Sequence, residues 1–552
     1  MQASIEKFRI QASDIGLIFL VSASVILPVL FWGCPIGTGD FTHHIQITTA
    51  YFDSMQNGVL IPDWVFRENN GYGAVTVRFY PPLFHYSLAT FRFILGTWHL
   101  AIFATFAFWS FIGGLGIFLW IREIQGSRWQ ALAGSLLFSL APYHLNQLYN
   151  SSMLGEFVAL SILPFCFLFT RRICLFGGVP NVIGLSISFA LLMLSNLPQA
   201  ILGTICIGLY VLFFISKKNL LRTAVSLVIA CSLGLALSAF YWVRMLTEMS
   251  WIVVAQPSGD PAYDYNNHFL LNGLGLDAQG TWFASLMFVG STAIVIGALI
   301  VTRRYRELLG SRDLLSITSL FLFAGLMLLP ISKPIWDNVP LLQRIQFPWR
   351  FLSVISLAIS LLLAWTFRSI NIETWRTKRP TFLVLSGLVL ILATFSLKQV
   401  IFAATYIEPS EFNSYPERIE TTVGLEHFRP AWSNDQTFKV QELIGAGGRE
   451  VSIRQWNGPN REAVVSEGEP GTARFAILYY PHWKATINGE PVQIRSIDGA
   501  VSVDLPPTNS VISLAFTEPL YSLASRYVSL FAWASVFFIC IFHYFKSKVG
   551  YL

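Results

Sequence analysis

Charge is scarce in this chain. Only 12% of its residues are Asp, Glu, Lys or Arg, where a soluble domain carries about 25%. The net charge of +6 is small for 552 residues. It suits orientation charge in loops, not a nucleic-acid surface, so nucleic acid is excluded as a partner. Cysteine is scarce too. Cys34, Cys166, Cys174, Cys206, Cys231 and Cys540 lie in or beside apolar runs, with no metal-ligand spacing. They read as small buried hydrophobes. No small-residue cleavage site follows the first apolar run, so that run is expected to be a retained span.

What fills the chain is apolar. Hydrophobic residues make up 54% of it, in recurring runs of about 18 or more, each long enough to cross ~30 Å of hydrocarbon. The expected fold class is a polytopic α-helical membrane protein. Twelve spans are expected, near 14–34, 99–121, 129–148, 156–171, 181–196, 199–216, 222–243, 281–301, 314–331, 348–367, 381–401 and 521–544. Lys and Arg cluster at Lys7/Arg9, Arg122/Arg128, Arg171/Arg172, Lys217/Lys218/Arg222, Arg303–Arg312, Arg368–Arg379 and Lys546/Lys548. With twelve spans every cluster falls on one side, as positive-inside orientation requires, and both termini are cytoplasmic. The apolar segment 79–95 would reverse the later clusters if it crossed. It contains "FYPPL", whose prolines suit a helix start, and Arg92, which is costly at mid-bilayer. It is expected as a re-entrant or surface-lying helix on the outer face.

The organisation expected is a transmembrane domain over 1–401 with a first outer loop at 35–98, an extracytoplasmic β-rich domain over 402–520, and a last transmembrane helix over 521–552. The runs "ARFAILYY", "KATI", "VQIRSI", "VSVDL" and "VISLAF" alternate like strands. Asn488-Gly489 and Asp498-Gly499 between such runs are hairpin signals. A small antiparallel sandwich-like domain follows. Trp483 after "YYPH" is either a core residue at a strand end or a sugar-stacking surface.

The polar residues gather on the outer side. The first span is followed by "GTGDFTHHIQITTAYFDSM" (37–55). At helical spacing Phe41, Ile45, Thr48, Phe52 and Met55 share a face, which predicts an amphipathic helix on the outer membrane surface. Asp40 stands three residues before His43 and four before His44, so one imidazole can share its face. Asp40 is either an N-cap or a functional acid, and the histidines are either interfacial or catalytic. A metal held by Asp and His here rests on two or three ligands only, so a divalent cofactor is open. Tyr143, His144, Asn150, Glu156, Asn196 and Gln199 sit at outer span ends. Asp260, Asp264 and His268 lie in the 244–280 loop, and Lys333, Asp337, Arg344 and Arg350 bracket "PLLQRIQFPWRF". Ionisable groups gathered at one membrane depth are a site hypothesis.

These stretches carry a resemblance. An acid after the first span, a surface helix and then "GYGAVTVRFYPPLFHYSLATFRFILG" resemble the first outer loop of polyprenyl-phosphate-dependent glycosyltransferases of the GT-C fold. Several stretches resemble bacterial membrane proteins labelled "6-pyruvoyl-tetrahydropterin synthase-related": "LAPYHLNQLYNSSMLGEF", "LSNLPQAIL", "LGLALSAFYW", "PIWDNVPLLQRIQFPWRFLSV" and "YYPHWKATINGEPV". The label implies no pterin chemistry, and no pterin-enzyme zinc motif is present. The resemblance implies a GT-C-like domain in a bacterial inner membrane. It also implies a polyprenyl-phosphate-linked sugar donor, a lipid or glycan acceptor, and inversion at the anomeric carbon. Asp40 matches the first-loop acid and would be the general base, with His43, His44 and Glu156 as further catalytic candidates. Resembled members carry arginine where this chain reads "NSSMLGEF". The phosphate contact is therefore expected from Arg78, Arg344 or Arg350, with Tyr80 and His268 as further substrate-binding candidates. Two other classes stay open: a transporter or flippase of a polyprenyl-linked lipid, and a non-catalytic scaffold for an envelope glycan.

Overall fold

Proline and polar caps decide where the apolar runs break. The computed structural model describes residues 11–37, 40–253, 264–271, 281–302, 310–366, 394, 397–419, 428–438, 442–456 and 460–549. The expected run 14–34 divides into helices Ala12–Ser24 and Leu27–Trp32, with Pro28 in the first turn of the second. The run 129–148 divides into Arg128–Ser139 and Pro142–Tyr149, the second opened by its proline. Asn196 ends Val179–Ser195 and caps Leu197–Val211 by accepting from the Gln199 amide.

Among the described residues, six helices are long and apolar enough to cross a membrane. They are Trp98–Glu123, Leu154–Leu175, Leu220–Leu237, Phe283–Ile300, Pro348–Thr366 and Leu520–Phe545. A seventh counts if Arg312–Leu328 and Pro330–Asn338, bent by 87°, form one span. Ala12–Ser24, Val179–Ser195 and Leu197–Val211 are apolar but shorter. Twelve spans were expected, and the broken and shorter runs account for much of the difference. The run expected near 381–401 lies almost wholly outside the described residues. The chain is a polytopic helical membrane protein with a β-sheet region.

Two polar layers bound the helices. Arg171 donates to Asp313 at 2.5 and 2.9 Å and to Glu123 at 3.1 Å, and Arg172 also reaches Glu123. The ends of three helices therefore meet at one level. Arg171 and Glu156 lie on the same helix, 15 residues and about 22 Å apart by helical rise. Glu156 thus belongs to a second layer at the opposite ends.

In that second layer the first-loop helix Phe41–Gln56 is packed inside protein, not laid on a membrane surface. Phe41, His44, Ile45, Ile47, Thr48, Tyr51 and Phe52 are all buried. Phe41 meets Phe412 and Tyr415 of the helix Pro409–Ile419, and Thr42 Oγ1 lies 3.0 Å from the Tyr415 hydroxyl. The other side packs on the helix Leu83–Leu95, which starts directly after Pro81-Pro82 as expected. At 13 residues that helix is too short to span. Strand β1 (Cys34–Ile36) pairs antiparallel with β2 (Thr405–Ile407), clamping the chain just before Asp40.

The β region is two antiparallel sheets, as the alternation predicts. The first has order β3-β6-β10-β9, formed by Ile444–Gly445, Gly471–Leu478, Ala500–Leu505 and Arg495–Ile497. The second has order β4-β5-β11-β7-β8, formed by Val451–Gln455, Asn460–Val465, Ser510–Phe516, Trp483–Ile487 and Glu490–Val492. Asn488 and Gly489 turn β7 into β8, and Asp498 and Gly499 turn β9 into β10, all with positive φ. Trp483 is buried edge-on against Trp64 and Phe516, so it is a core residue and no stacking surface for a sugar.

Candidate functional site

Asp40 is the N-cap residue of Phe41–Gln56 by position, yet its side chain makes no cap hydrogen bond. It is exposed. Its Oδ2 instead accepts from the Tyr80 hydroxyl at 3.3 Å, and that hydroxyl is 3.4 Å from His44 Nε2. Pro81 and Pro82 start the next helix, so Tyr80 is held extended (ψ 136°) at the point where the loop turns back on Asp40. His44 is 1% exposed and enclosed edge-on by Tyr80 and Phe84 and tilted against His85, and its Nδ1 has no hydrogen bond among the described residues. Burial pushes its imidazole down to about 4, against the upward pull of Asp40. His44 is therefore neutral near pH 7 and is neither interfacial nor a charged ligand. With Nε2 protonated, donors run in one direction from His44 through Tyr80 to Asp40. His43 is half-buried, and its one side-chain hydrogen bond among the described residues is to Gln46 Oε1, at 3.4 Å.

Burial, and then the Asp40 carboxylate, push the Tyr80 phenol well above its ordinary value. The positive field of Arg350 acts on the same phenol in the opposite sense. A carboxylate from the start of the chain and a guanidinium from its later half thus both act on Tyr80.

Arg350 opens the span Pro348–Thr366 and is buried. Its Nε donates to Glu156 Oε2 at 3.1 Å; its Nη1 donates to the Ile345 carbonyl at 2.5 Å and to Gln346 Oε1 at 3.2 Å. Its guanidinium lies over Phe347 and Trp349, at 4.9 and 5.7 Å from the ring centroids. His268 packs edge-on against Phe347, 4.6 Å between centroids, which brings it beside the same cation. Arg344 is exposed, and its side chain makes no hydrogen bond or ion pair among the described residues.

Glu156 departs from its expected catalytic role. It is 1% exposed, and it accepts from Tyr143 at 2.5 Å, Gln199 at 2.9 Å and Arg350. A carboxylate so enclosed has no face for a substrate proton.

Arg78 departs further. Its guanidinium is fully buried and forks onto Glu248, with Nε–Oε2 and Nη2–Oε1 both 2.6 Å, while Nη1 pairs with Glu518. Its donors are spent on carboxylates, so it offers no phosphate clamp. Glu248 also accepts from Tyr480 at 2.5 Å and Tyr521 at 3.0 Å, and lies 3.1 Å from His482 Nε2. Burial alone would raise its carboxyl; His482, Arg78 and Tyr480 outweigh that and hold it well below the usual range. Asp63 pairs with Arg244 at 3.0 Å and with Arg526. This ionic knot joins the first loop, the helix Ala239–Glu248, the second sheet and the helix Leu520–Val549.

Two buried side chains behind His44, namely His85 and Tyr51, escaped sequence reasoning. His85 stacks on Tyr51 and lies 2.8 Å from Thr48 Oγ1. A histidine inside an apolar helix was the available signal. Among the described residues, no group of three or more His, Cys, Asp or Glu is arranged to hold a metal. Elsewhere, Lys333 pairs with Asp337 at 2.8 Å and Asp264 caps the Asn266 amide, both locally. Asp260 lies outside the described residues.

An uncharacterized protein of Lactococcus lactis subsp. cremoris (strain MG1363) is 25% identical over 276 residues, 45% of this chain and 43% of that protein. The chain thus spans less than half the length of this curated relative. Among solved structures, the arabinofuranosyltransferase AftD from Mycobacteria is similar at TM-score 0.47 and 14% identity, over 71% of this chain and 27% of that one. ArnT from Cupriavidus metallidurans, bound to undecaprenyl phosphate, is similar at TM-score 0.40 and 13% identity, over 74% and 70%. The Archaeoglobus fulgidus oligosaccharyltransferase is similar at TM-score 0.40 and 13% identity, over 77% and 57%. At these values the likeness assigns no residue a role. Residues 77–407, more than half of the chain, match the family described as the 6-pyruvoyl-tetrahydropterin synthase related domain, membrane protein, and the chain belongs to that family.

Proposed function

We propose that this chain is a membrane glycosyltransferase that moves a sugar from a polyprenyl-phosphate donor to a lipid or glycan acceptor on the outer face of a bacterial inner membrane. The observation that carries the reading is Asp40. It is an exposed carboxylate that leaves its helix uncapped, is held by Tyr80, and shares that phenol's field with Arg350. The resemblance of the first loop to GT-C enzymes supplies the reaction class.

In this reading Asp40 takes the proton of an acceptor hydroxyl. The acceptor oxygen attacks the anomeric carbon from the face opposite the phosphate, the carbon–phosphate-oxygen bond breaks, and polyprenyl phosphate leaves with the electron pair. Arg350 stabilises the anionic leaving group, with exposed Arg344 as a second cation. Tyr80 orients Asp40, and neutral His44 orients Tyr80. His268 supports the Phe347 stack. The two sheets and the Asp40 layer share the outer face, and both termini are cytoplasmic.

The test is transfer by purified protein from radiolabelled polyprenyl-phosphate sugars. General-base catalysis is worth ~10²–10⁴-fold, so Asp40→Asn is expected to lose that much rate while unfolding at the wild-type temperature. Transfer by Asp40→Asn at the wild-type rate contradicts the assignment. Counterflow of intact lipid in liposomes without sugar release identifies a transporter instead.

A further inference from the structure

Glu156 is an enclosed carboxylate with partners on both oxygens, and that satisfaction has a direction. One oxygen accepts from Tyr143 and Gln199, and the other from Arg350 Nε. Gln199 is itself fixed, because its Oε1 accepts from Ser353 at 3.1 Å, three residues along from Arg350. Four helices therefore meet in the network around the Glu156 carboxylate, which in turn holds the guanidinium: Pro142–Tyr149, Leu154–Leu175, Leu197–Val211 and Leu352–Thr366. Arg350 Nη1 is held by the Ile345 carbonyl and Gln346, and the flat face of the guanidinium lies over Phe347 and Trp349. Its Nη2 makes no hydrogen bond among the described residues and is not sealed from solvent.

We propose that Glu156 is a positioning residue: it locks the Nε edge of Arg350 so that the Nη2 edge stays open for one phosphate oxygen of a polyprenyl-phosphate donor. This rests on the glycosyltransferase reading above and names the residue that fixes its phosphate contact. Charge alone argues the other way. A carboxylate beside a cation weakens that cation's pull on an anion, so removing it should tighten phosphate binding. Positioning has the opposite sign. A glutamine at 156 turns one acceptor oxygen into a donor NH₂ facing the donors of Tyr143, Gln199 or Arg350, and the lock fails.

The experiment measures the Kd of polyprenyl phosphate without a sugar for the full chain in detergent, with unfolding temperatures alongside. Wild type is expected to bind saturably, and Arg350→Gln to lose binding. Glu156→Gln is expected to bind on the order of tenfold more weakly, the scale of one charge-assisted hydrogen bond. Tyr143→Phe keeps the ion pair and removes one support. It is expected to weaken binding by a smaller factor, and it stands in if Glu156→Gln does not fold. Transfer assays on folded variants are expected to show a raised donor KM with both limbs of the pH–rate profile retained. Unchanged or tighter binding in Glu156→Gln, or in Tyr143→Phe where that variant stands in, overturns the positioning role and leaves the glycosyltransferase reading intact. Loss of a pH limb makes Glu156 an acid–base residue and also overturns it. Absence of saturable wild-type binding overturns both.

Discussion

His44 shows how a buried polar residue beside a site makes stability depend on pH. Its folded value is near 4, below the ordinary 6.5, because burial penalises the charged ring. Between those two values the unfolded chain binds the proton more tightly. His44 therefore contributes stability that is present above pH 6.5 and lost as pH falls toward 4. The full loss is about 3 kcal/mol. His85 is shifted in the same direction by burial, so it adds a limb of the same sign. His44→Gln is expected to shrink the fall in unfolding temperature between pH 6.5 and 4.5, read by thermal melts across that range. Equal falls in both proteins would place His44 in contact with water. Spacing in the sequence put Asp40 near a histidine, but it did not show that Tyr80, forty residues on, stands between them.

At the scale of elements, the first loop depends on a close backbone approach. Gly37 N donates to Ser152 Oγ at 2.8 Å, and a Cβ at Gly37 would land on the Asn150 carbonyl and that hydroxyl. Gly37 lies three residues before Asp40 and directly after the strand clamped to Thr405–Ile407. Gly37→Ala is expected to push the Asp40 segment away from the turn at 150–153, between the helices Pro142–Tyr149 and Leu154–Leu175. It should reduce transfer by about tenfold or more, the sensitivity expected of a displaced catalytic group. Rates and melts on the same preparation check this; an unchanged rate would mean that the clamp does not place Asp40. Local signals were legible here. Pro81-Pro82 marks a helix start because of its own backbone limits, and Asn488-Gly489 and Asp498-Gly499 mark turns because positive φ is a property of those residues. What covers an element was not legible. The apolar face of Phe41–Gln56 predicted burial against something, and a membrane surface was the nearest candidate. The covering aromatics, Phe412 and Tyr415, come from a helix more than 350 residues later.

For the whole molecule, the buried ionic knot ties the sheets to the membrane helices. Arg78 pairs with Glu248, 170 residues away, and with Glu518, 440 residues away, separations that no motif encodes. In sequence it was an arginine ahead of a helix start, which fits a phosphate clamp equally well. Arg78→Met leaves two buried carboxylates without their main cation. Breaking a buried pair on one side costs about 3–5 kcal/mol, so its unfolding temperature in detergent is expected to fall sharply, with loss of transfer following loss of fold. An unchanged midpoint would mean that water or another cation reaches Glu248. The account as a whole requires that one lipid headgroup reach both Arg350 and Asp40. The direct measurement is a density map of the protein with bound polyprenyl phosphate. The account predicts the phosphate within hydrogen-bond distance of the Arg350 guanidinium, on the side of Tyr80 that faces Asp40, with room between phosphate and carboxylate for one sugar. A phosphate seated elsewhere, or a carboxylate beyond the reach of a single sugar, would contradict it.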